Sequence, residues 1–435
     1  MTMGMSVERR HRCIVVVARL VVLAVPDVPA VPDVPAVPAV LVGIAHPSTV
    51  DAADALWCPP ELNRKGLRHP GDIVQRVFTW TRAEEASPDM SAFSTTVTSN
   101  TVTVGTHTTH YLAAGPESGP LIIFVHGWPE LSISWRHQLP VLAGLGFRAI
   151  APDMRGYGNS TAYANLDDYA QELVVADMVA LLDSLGRDRA IWVGHDWGSP
   201  TVWNIASHHP DRCLGVASLC VPYFTLERGL EAVVPLINRD RYPADEFPYG
   251  QWDYMMFYVE NFEKATATFG ANPYNTAKLL FRKGNPDGFG QRAGTAMTRK
   301  IGGWFGPLAE APDVPLDTDV VTESDLRTYA ESLGRNGFFG PDAYYRNHEA
   351  NAAYAALAVN GGRLDLPVLF LHAQYDYVCD TVTSRFAEPM REQCSRLDEA
   401  VVPAGHWMAQ ERPAEVNAAL TRWIATRLPD VWPSA

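Results

Sequence analysis

With 435 residues, 47% of them hydrophobic and 10% aromatic, the chain exceeds one ordinary domain and can fill a large core, which excludes disorder throughout. Its 35 basic and 49 acidic residues give a formal charge of −14, a field that repels phosphate backbones and anionic lipid and argues against a nucleic-acid partner. The six cysteines include no Cys-x-x-Cys pair and no zinc-spaced His/Cys cluster, so neither a metal site nor a disulfide framework is implied.

The first 93 residues read as a low-complexity, poorly ordered extension. Arg9, Arg10 and Arg12 precede an apolar run from Ile14 to Val25, the layout of a signal peptide. Arg19 interrupts the run, and a membrane span needs about 20 uninterrupted apolar residues, so none is expected. The cytoplasm is the expected location, with export as the alternative if the run is a true signal. Residues 25–40 read VPDVPAVPDVPAVPAV; proline at nearly every third position precludes a backbone ladder and predicts an extended, solvated spacer. Met90 offers an alternative start for a chain that need not naturally include this extension.

From Thr95 the pattern changes. TTVTSNTVTVG and THYLAAG alternate as a β-hairpin does, and LIIFV at 121–125 is a continuous apolar run bounded by Gly119-Pro120 and Gly127. Similar runs at 147–153, 189–196, 213–220 and 366–373 are mostly separated by amphipathic stretches such as LDDYAQELVVADMVALLDSLG, which predicts an α/β class with a mostly parallel sheet. Between Cys220 and Leu366 the rhythm stops for too long a stretch to be one crossover or a structureless loop. An inserted helical cap is therefore expected at 223–355, dividing a core of 94–222 and 356–435. Thr322 with Asp325 resembles a capping box, and Pro341 can open one helix through AYYRNHEANAAYAALA.

The chemistry concentrates after RAIWV. Gly194-His195-Asp196-Trp197-Gly198 leads into a helical SPTVWNIASHH, the small-x-nucleophile-x-small pattern of a strand-to-helix elbow. The middle residue is Asp196. A carboxylate needs no deprotonation and attacks saturated carbon to leave an alkyl ester, which activated water can hydrolyse if N–H donors stabilise the oxyanion. After LIIFV come His126-Gly127-Trp128-Pro129-Glu130, where the second oxyanion donor resides; the Trp128 and Trp197 N–H groups are the expected pair. LPVLFLHA is followed by Asp376, suited to orient an imidazole, and Gly405-His406-Trp407 follows EAVVP. Singly, Asp376 reads as a turn residue and His406 as a surface histidine. In the order nucleophile, acid, histidine at successive strand ends they read as Asp196 nucleophile, Asp376 orienting acid and His406 general base.

On HGWPE at 126, DMRGYGNS at 153, GHDWG at 194, YDYV at 375 and GHW at 405, the chain from about Thr95 onward resembles the epoxide-hydrolase branch of the α/β-hydrolase family. The resemblance implies hydrolysis of a small-molecule epoxide to a vicinal diol without cofactor or metal, and a cap with two tyrosines that bind the epoxide oxygen. Tyr345, in Gly-Pro-Asp-Ala-Tyr-Tyr-Arg-Asn, matches one. Tyr254, in Trp-Asp-Tyr-Met-Met-Phe-Tyr, matches the other by its place after Asp; Tyr258, one turn later, is its alternative, and Val259-Glu260-Asn261-Phe262 departs from the family's usual continuation. His126, Pro129, Phe257 and Tyr258 are expected on the substrate surface. Met255, Met256, Trp304 and Phe305, with Phe257, face the cleft or fill the cap. Asp153, Arg155 and Gly156 are expected to support the oxyanion loop. Glu130 reads two ways, as a supporting carboxylate for His406 or the hydrolytic water, or as a solvated loop residue. A homodimer is left open. Haloalkane dehalogenases, with the same Asp and an indole donor at the position of Trp197, are the rival enzyme, but have no use for paired tyrosines. A ligand-binding hydrolase-fold protein without catalysis is the third reading.

Overall fold

The computed structural model describes residues 95–433, so the basic and apolar N-terminal runs, the proline repeat and Met90 lie outside the described residues. The described chain begins with a hairpin of β1 (Thr98–Val104) and β2 (His107–Ala114), turning at Gly105 with φ 59°. There follow β3 (Leu121–Val125), α1 (Leu139–Gly144), β4 (Arg148–Pro152), α2 (Gln171–Ser184), β5 (Ala190–His195), α3 (Gly198–His208) and β6 (Cys213–Leu219). After a long insertion come β7 (Val368–Ala373), α11 (Glu388–Gln393), β8 (Leu397–Val402), α12 (Met408–Glu411) and α13 (Pro413–Arg427).

All eight strands join one sheet in the order β1-β2-β4-β3-β5-β6-β7-β8. β1 and β2 pair antiparallel, as do β2 and β4, and the other pairs are parallel. Every residue of β3, β5 and β7 is buried, which is why these segments are apolar without alternation: both faces of a parallel sheet are covered. Side chains such as Phe124, Val193 and Phe370 are fully buried, and each burial of this kind contributes about 1.5–3 kcal/mol. The C-terminal ends of β3, β5 and β7 lie on one side of the sheet and carry the motif loops, the side on which open parallel sheets place ligands.

The insertion between β6 and β7 is helical, with no strand among the described residues: α4 (Leu230–Val233), α5 (Asp253–Gly270), α6 (Pro273–Leu280), α7 (Thr298–Ile301), α8 (Glu323–Asn336), α9 (Phe339–Ala343) and α10 (His348–Ala355). α8 opens with the reciprocal box read from sequence: Asp325 N donates to Thr322 Oγ1 at 3.2 Å and Thr322 N donates to Asp325 Oδ2 at 2.9 Å. The single helix expected from Pro341 is instead broken. α9 ends at Ala343, a 3₁₀ turn carries Tyr344–Arg346, and α10 starts at His348. At the break the Asn347 amide donates to both Ala343 O and Leu166 O at 2.9 Å, so a side chain replaces a ladder bond and ties the segment to the core. Among the described residues no helix is long and apolar enough to cross a membrane.

Candidate active site

The elbow after β5 sets the geometry. Asp196 adopts φ 48°, a left-handed backbone that costs a non-glycine residue about 1–3 kcal/mol and persists only where its surroundings enforce it. The neighbouring glycines permit that enforcement. A Cβ on Gly198 would lie 2.1 Å from Val125 O, and one on Gly127 would lie 2.4 Å from Asp196 Cβ. The loop after β3 thus presses against the nucleophile candidate, and Trp128 N donates to Asp196 Oδ1 at 2.7 Å. Trp197, the residue between Asp196 and α3, is buried, and its N–H has no partner among the described residues.

His406 and Asp376 meet Asp196 from the two loops beyond β7 and β8. His406 Nδ1 lies 2.6 Å from Asp376 Oδ2, and Nε2 lies 3.4 Å from Asp196 Oδ2. Val378 N and Cys379 N donate to Asp376 Oδ1 at 3.1 and 2.9 Å. Burial alone would raise the Asp376 carboxyl, but the facing imidazole and these amides hold it below the usual carboxylate range. Burial would likewise lower His406; the Asp376 carboxylate, joined by the hydrogen bonds to Asp196 and Asp376, holds it well above the usual histidine range. With Asp376 hydrogen-bonded at Nδ1 and the Asp196 carboxylate paired at 3.4 Å from Nε2, the imidazolium is the favoured resting form.

Beneath the triad Glu130 pairs with His195, a partner the sequence did not indicate. His195 Nδ1 is 2.7 Å from Glu130 Oε2, and Nε2 is 2.8 Å from the backbone carbonyl of His406. Both partners are acceptors, so His195 is doubly protonated. Burial opposes both charges, yet each partner overrides it for the other, holding Glu130 down at about 2 and His195 up at about 10. Glu130 is 2% exposed, which rules out the solvated reading; its Oε2 bonds His195 and Gly127 N and its Oε1 accepts from the Gln410 amide, rather than either bonding the His406 ring. The pair supports the His406 loop from below.

Other expected residues separate into two groups. His126, expected on the substrate surface, is fully buried; Met154 N donates to its Nε2 at 3.0 Å and its Nδ1 donates to Gly127 O at 2.9 Å. With both nitrogens satisfied by backbone it fixes the loop and has no ring nitrogen left to offer a ligand. Asp153 serves the same loop, accepting from Ser132 N at 2.8 Å, while Arg155 turns away to Asp177. Phe257 is buried and packs under Gly303, with its Cζ 3.3 Å from where a Cβ would stand. Pro129 is buried beside Trp128, across a cis peptide.

The cap brings three tyrosines over the elbow. Tyr345 lies edge-on to Trp197, with ring centroids 5.1 Å apart, and to Tyr254 at 5.7 Å. Tyr258 stacks on Tyr345 at 4.4 Å with planes 7° apart. Its hydroxyl is sealed without a partner, whereas those of Tyr254 and Tyr345 are neither sealed nor hydrogen-bonded among the described residues. Burial pushes the phenols of Tyr254 and Tyr345 well above the usual range, so both remain O–H donors. Trp128 and Trp304 complete the aromatic wall, with centroids 5.6 Å apart. The Trp128 indole N–H donates to buried Asp342 at 2.9 Å, a contact no sequence motif indicated.

Cysteines also converge here: Cys220 with His195 and His406, and Cys379 with Asp376 and His406, place possible donor atoms within 4.8 Å of one another. Both His406 nitrogens already face carboxylates, so the clusters complete the triad's packing rather than a coordination sphere. The described cysteines, Cys213, Cys220, Cys379 and Cys394, are free and buried.

A mostly parallel sheet with this elbow, acid and histidine defines a hydrolase class, and the α/β-hydrolase fold family matches residues 120–413. The chain belongs to that family and, within it, to the epoxide-hydrolase branch. It is 34% identical over 319 residues to Epoxide hydrolase A of Mycobacterium tuberculosis, covering 72% of this chain and 92% of that protein. It is 33% identical over 317 residues to Bifunctional epoxide hydrolase 2 of Sus scrofa, where the match covers 73% of this chain but only 53% of the pig protein. Among solved structures, Epoxide Hydrolase A from Mycobacterium thermoresistibile superposes with TM-score 0.62 at 31% identity, covering 76% of this chain and 99% of that one. An epoxide hydrolase from Vigna radiata gives 0.61 at 28%, covering 75% and 97%.

Proposed function

We propose that the chain hydrolyses small-molecule epoxides to vicinal diols through an alkyl ester on Asp196, with residues 223–355 forming the cap over a core of 94–222 and 356–435. Tyr254 and Tyr345 donate to the epoxide oxygen while the Asp196 carboxylate attacks a ring carbon. The carbon–oxygen bond breaks, and a phenol proton meets the developing alkoxide. Esterification removes the charge on Asp196, so His406 loses one of its two carboxylate partners and its affinity for the proton falls. The imidazolium proton passes through solvent to the phenolate left by ring opening, and the neutral ring then takes a proton from water, whose hydroxide attacks the ester carbonyl. The Trp128 and Trp197 N–H groups receive the oxyanion, and its collapse frees the diol and returns the carboxylate.

The observation that carries this reading is the pair of unpartnered, un-ionised phenols of Tyr254 and Tyr345 beside a carboxylate at the elbow. Ring opening generates a strongly basic oxygen that needs such donors, whereas halide departure does not. The Trp128 indole N–H, engaged with Asp342, is also not free for a halide. The names of relatives at about one-third identity agree with the epoxide reading. Purified protein given a panel of epoxides and haloalkanes is expected to form diols and to release little halide. Halide release faster than diol formation from every epoxide would overturn the proposal.

A further inference from the structure

We propose that Asp342 is a positioning residue that keeps the cap tyrosine Tyr345 and the oxyanion donor Trp128 in register across the boundary between cap and core. The inference rests on the epoxide-hydrolase reading, because alkylation of Asp196 is the step that requires the register.

Trp128 faces both ways. Its backbone N–H reaches Asp196 Oδ1 at 2.7 Å, and its indole N–H reaches Asp342 Oδ1 at 2.9 Å. Asp342 stands three residues before Tyr345, on the segment that runs from α9 into the 3₁₀ turn. One short stretch of cap therefore carries both the phenol aimed at the epoxide and the carboxyl that grips the nucleophile's neighbour.

Ring packing does not supply this alignment alone. The Trp128 indole is surrounded by Tyr258, Phe269, Trp304 and Tyr345, with centroids 5.2–6.4 Å away. Such contacts fix where the rings sit, but an indole turned over fills nearly the same volume. The turned-over ring would leave a buried N–H without an acceptor, at a cost of about 1–3 kcal/mol, so the Asp342 oxygen selects one orientation.

The carboxyl itself is an expensive choice. Asp342 is fully buried, and its Oδ2 has no partner among the described residues. Burial raises its pKa well above the usual carboxylate range despite the hydrogen bond from the Trp128 indole, which favours the neutral acid. A leucine of similar size would avoid that desolvation. What the carboxyl supplies instead is direction.

The test compares Asp342→Leu, Asp342→Asn and Trp128→Phe with the unaltered protein, measuring the single-turnover rate of ester formation on a small epoxide and the thermal midpoint. Asn keeps an acceptor; Leu and Phe each break the same bond from one side. Misplacement of about 1 Å can cost 100-fold, so Asp342→Leu and Trp128→Phe should each slow ester formation about 10- to 100-fold, Asp342→Asn should restore most of the rate, and the double change should be no worse than either single one. If Asp342→Leu does not fold, Trp128→Phe with Asp342→Asn makes the same comparison. Ester formation at the unaltered rate in the bond-breaking variants overturns the inference alone. So does loss in Asp342→Asn equal to that in Asp342→Leu and tracking the thermal midpoint. Absence of any ester in the unaltered protein overturns the functional reading together with the inference.

Discussion

The core half of the site is held by backbone, and the cap half by side-chain packing. Around Asp196 a left-handed residue, a glycine that abuts its Cβ and an amide at 2.7 Å leave no freedom. Around Tyr345 most of the restraints are rings, Tyr258 at 4.4 Å, Trp197 at 5.1 Å and Tyr254 at 5.7 Å, with the one bond from Trp128 to Asp342 beside them. Backbone constraint fixes the Asp196 carboxylate, where the proposed attack makes small displacements costly, while a packed aromatic wall can vary with the substrate and keep its chemistry. Substitutions in the two halves should therefore fail in different ways.

The largest effect is expected on the core side. His406→Gln removes the general base but not the nucleophile, so turnover should fall about 100- to 10,000-fold while the ester accumulates and is seen as a mass increase on the peptide carrying Asp196. Turnover falling with no ester would mean that His406 is needed earlier. On the cap side, Tyr254→Phe or Tyr345→Phe removes one donor and keeps the ring. By comparison with loss of one oxyanion donor, each should slow alkylation about 10- to 1,000-fold without slowing ester hydrolysis, as rapid-quench kinetics can separate. An unaffected Tyr254→Phe with a slow Tyr258→Phe would put the second donor one turn along α5.

Gly127→Ala sharpens the contrast further. One methyl group there meets Asp196 Cβ at 2.4 Å, so kcat should fall by about 100-fold through misplacement of the carboxylate, and steady-state kinetics showing normal kcat would contradict a backbone-fixed core. The smallest effect concerns pH. His195 is raised from 6.5 to about 10, so its contribution to stability is complete below pH 6.5 and lost as pH rises through 10; Glu130 is lowered from 4.5 to about 2, so its contribution is complete above pH 4.5 and lost as pH falls through 2. The thermal midpoint of the unaltered protein should therefore decline between pH 7 and 10 more steeply than that of Glu130→Gln, whose His195 has no facing carboxylate. Parallel curves would show that the pair does not exist as an ion pair.

The same contrast explains what the sequence revealed. Gly194, Gly198 and Gly127 are legible because close backbone approaches admit nothing larger, and the strands because burial on both faces demands apolar runs. Thr322 and Asp325 announced their helix because capping is local. Orientation inside the cap is not local. Phe257 and Tyr258 are adjacent, yet one fills the cap beneath Gly303 and the other stacks on Tyr345. Glu130 could be read as solvated because its partner is 65 residues away, and Asp342 passed unnoticed because its partner is 214 residues away. His126 stands in a motif beside Asp196, but its nitrogens serve backbone, which no spacing reveals.

The proposed mechanism requires a covalent ester at Asp196, and a single turnover in heavy-oxygen water tests it most directly. Water that attacks the ester carbonyl leaves its oxygen on the enzyme, while the diol departs with an oxygen that began on the carboxylate. The first diol released should carry no label, and the peptide containing Asp196 should gain one heavy oxygen. Label in the first diol with none on Asp196 would show that water opens the ring directly, and would contradict the nucleophilic role assigned to Asp196.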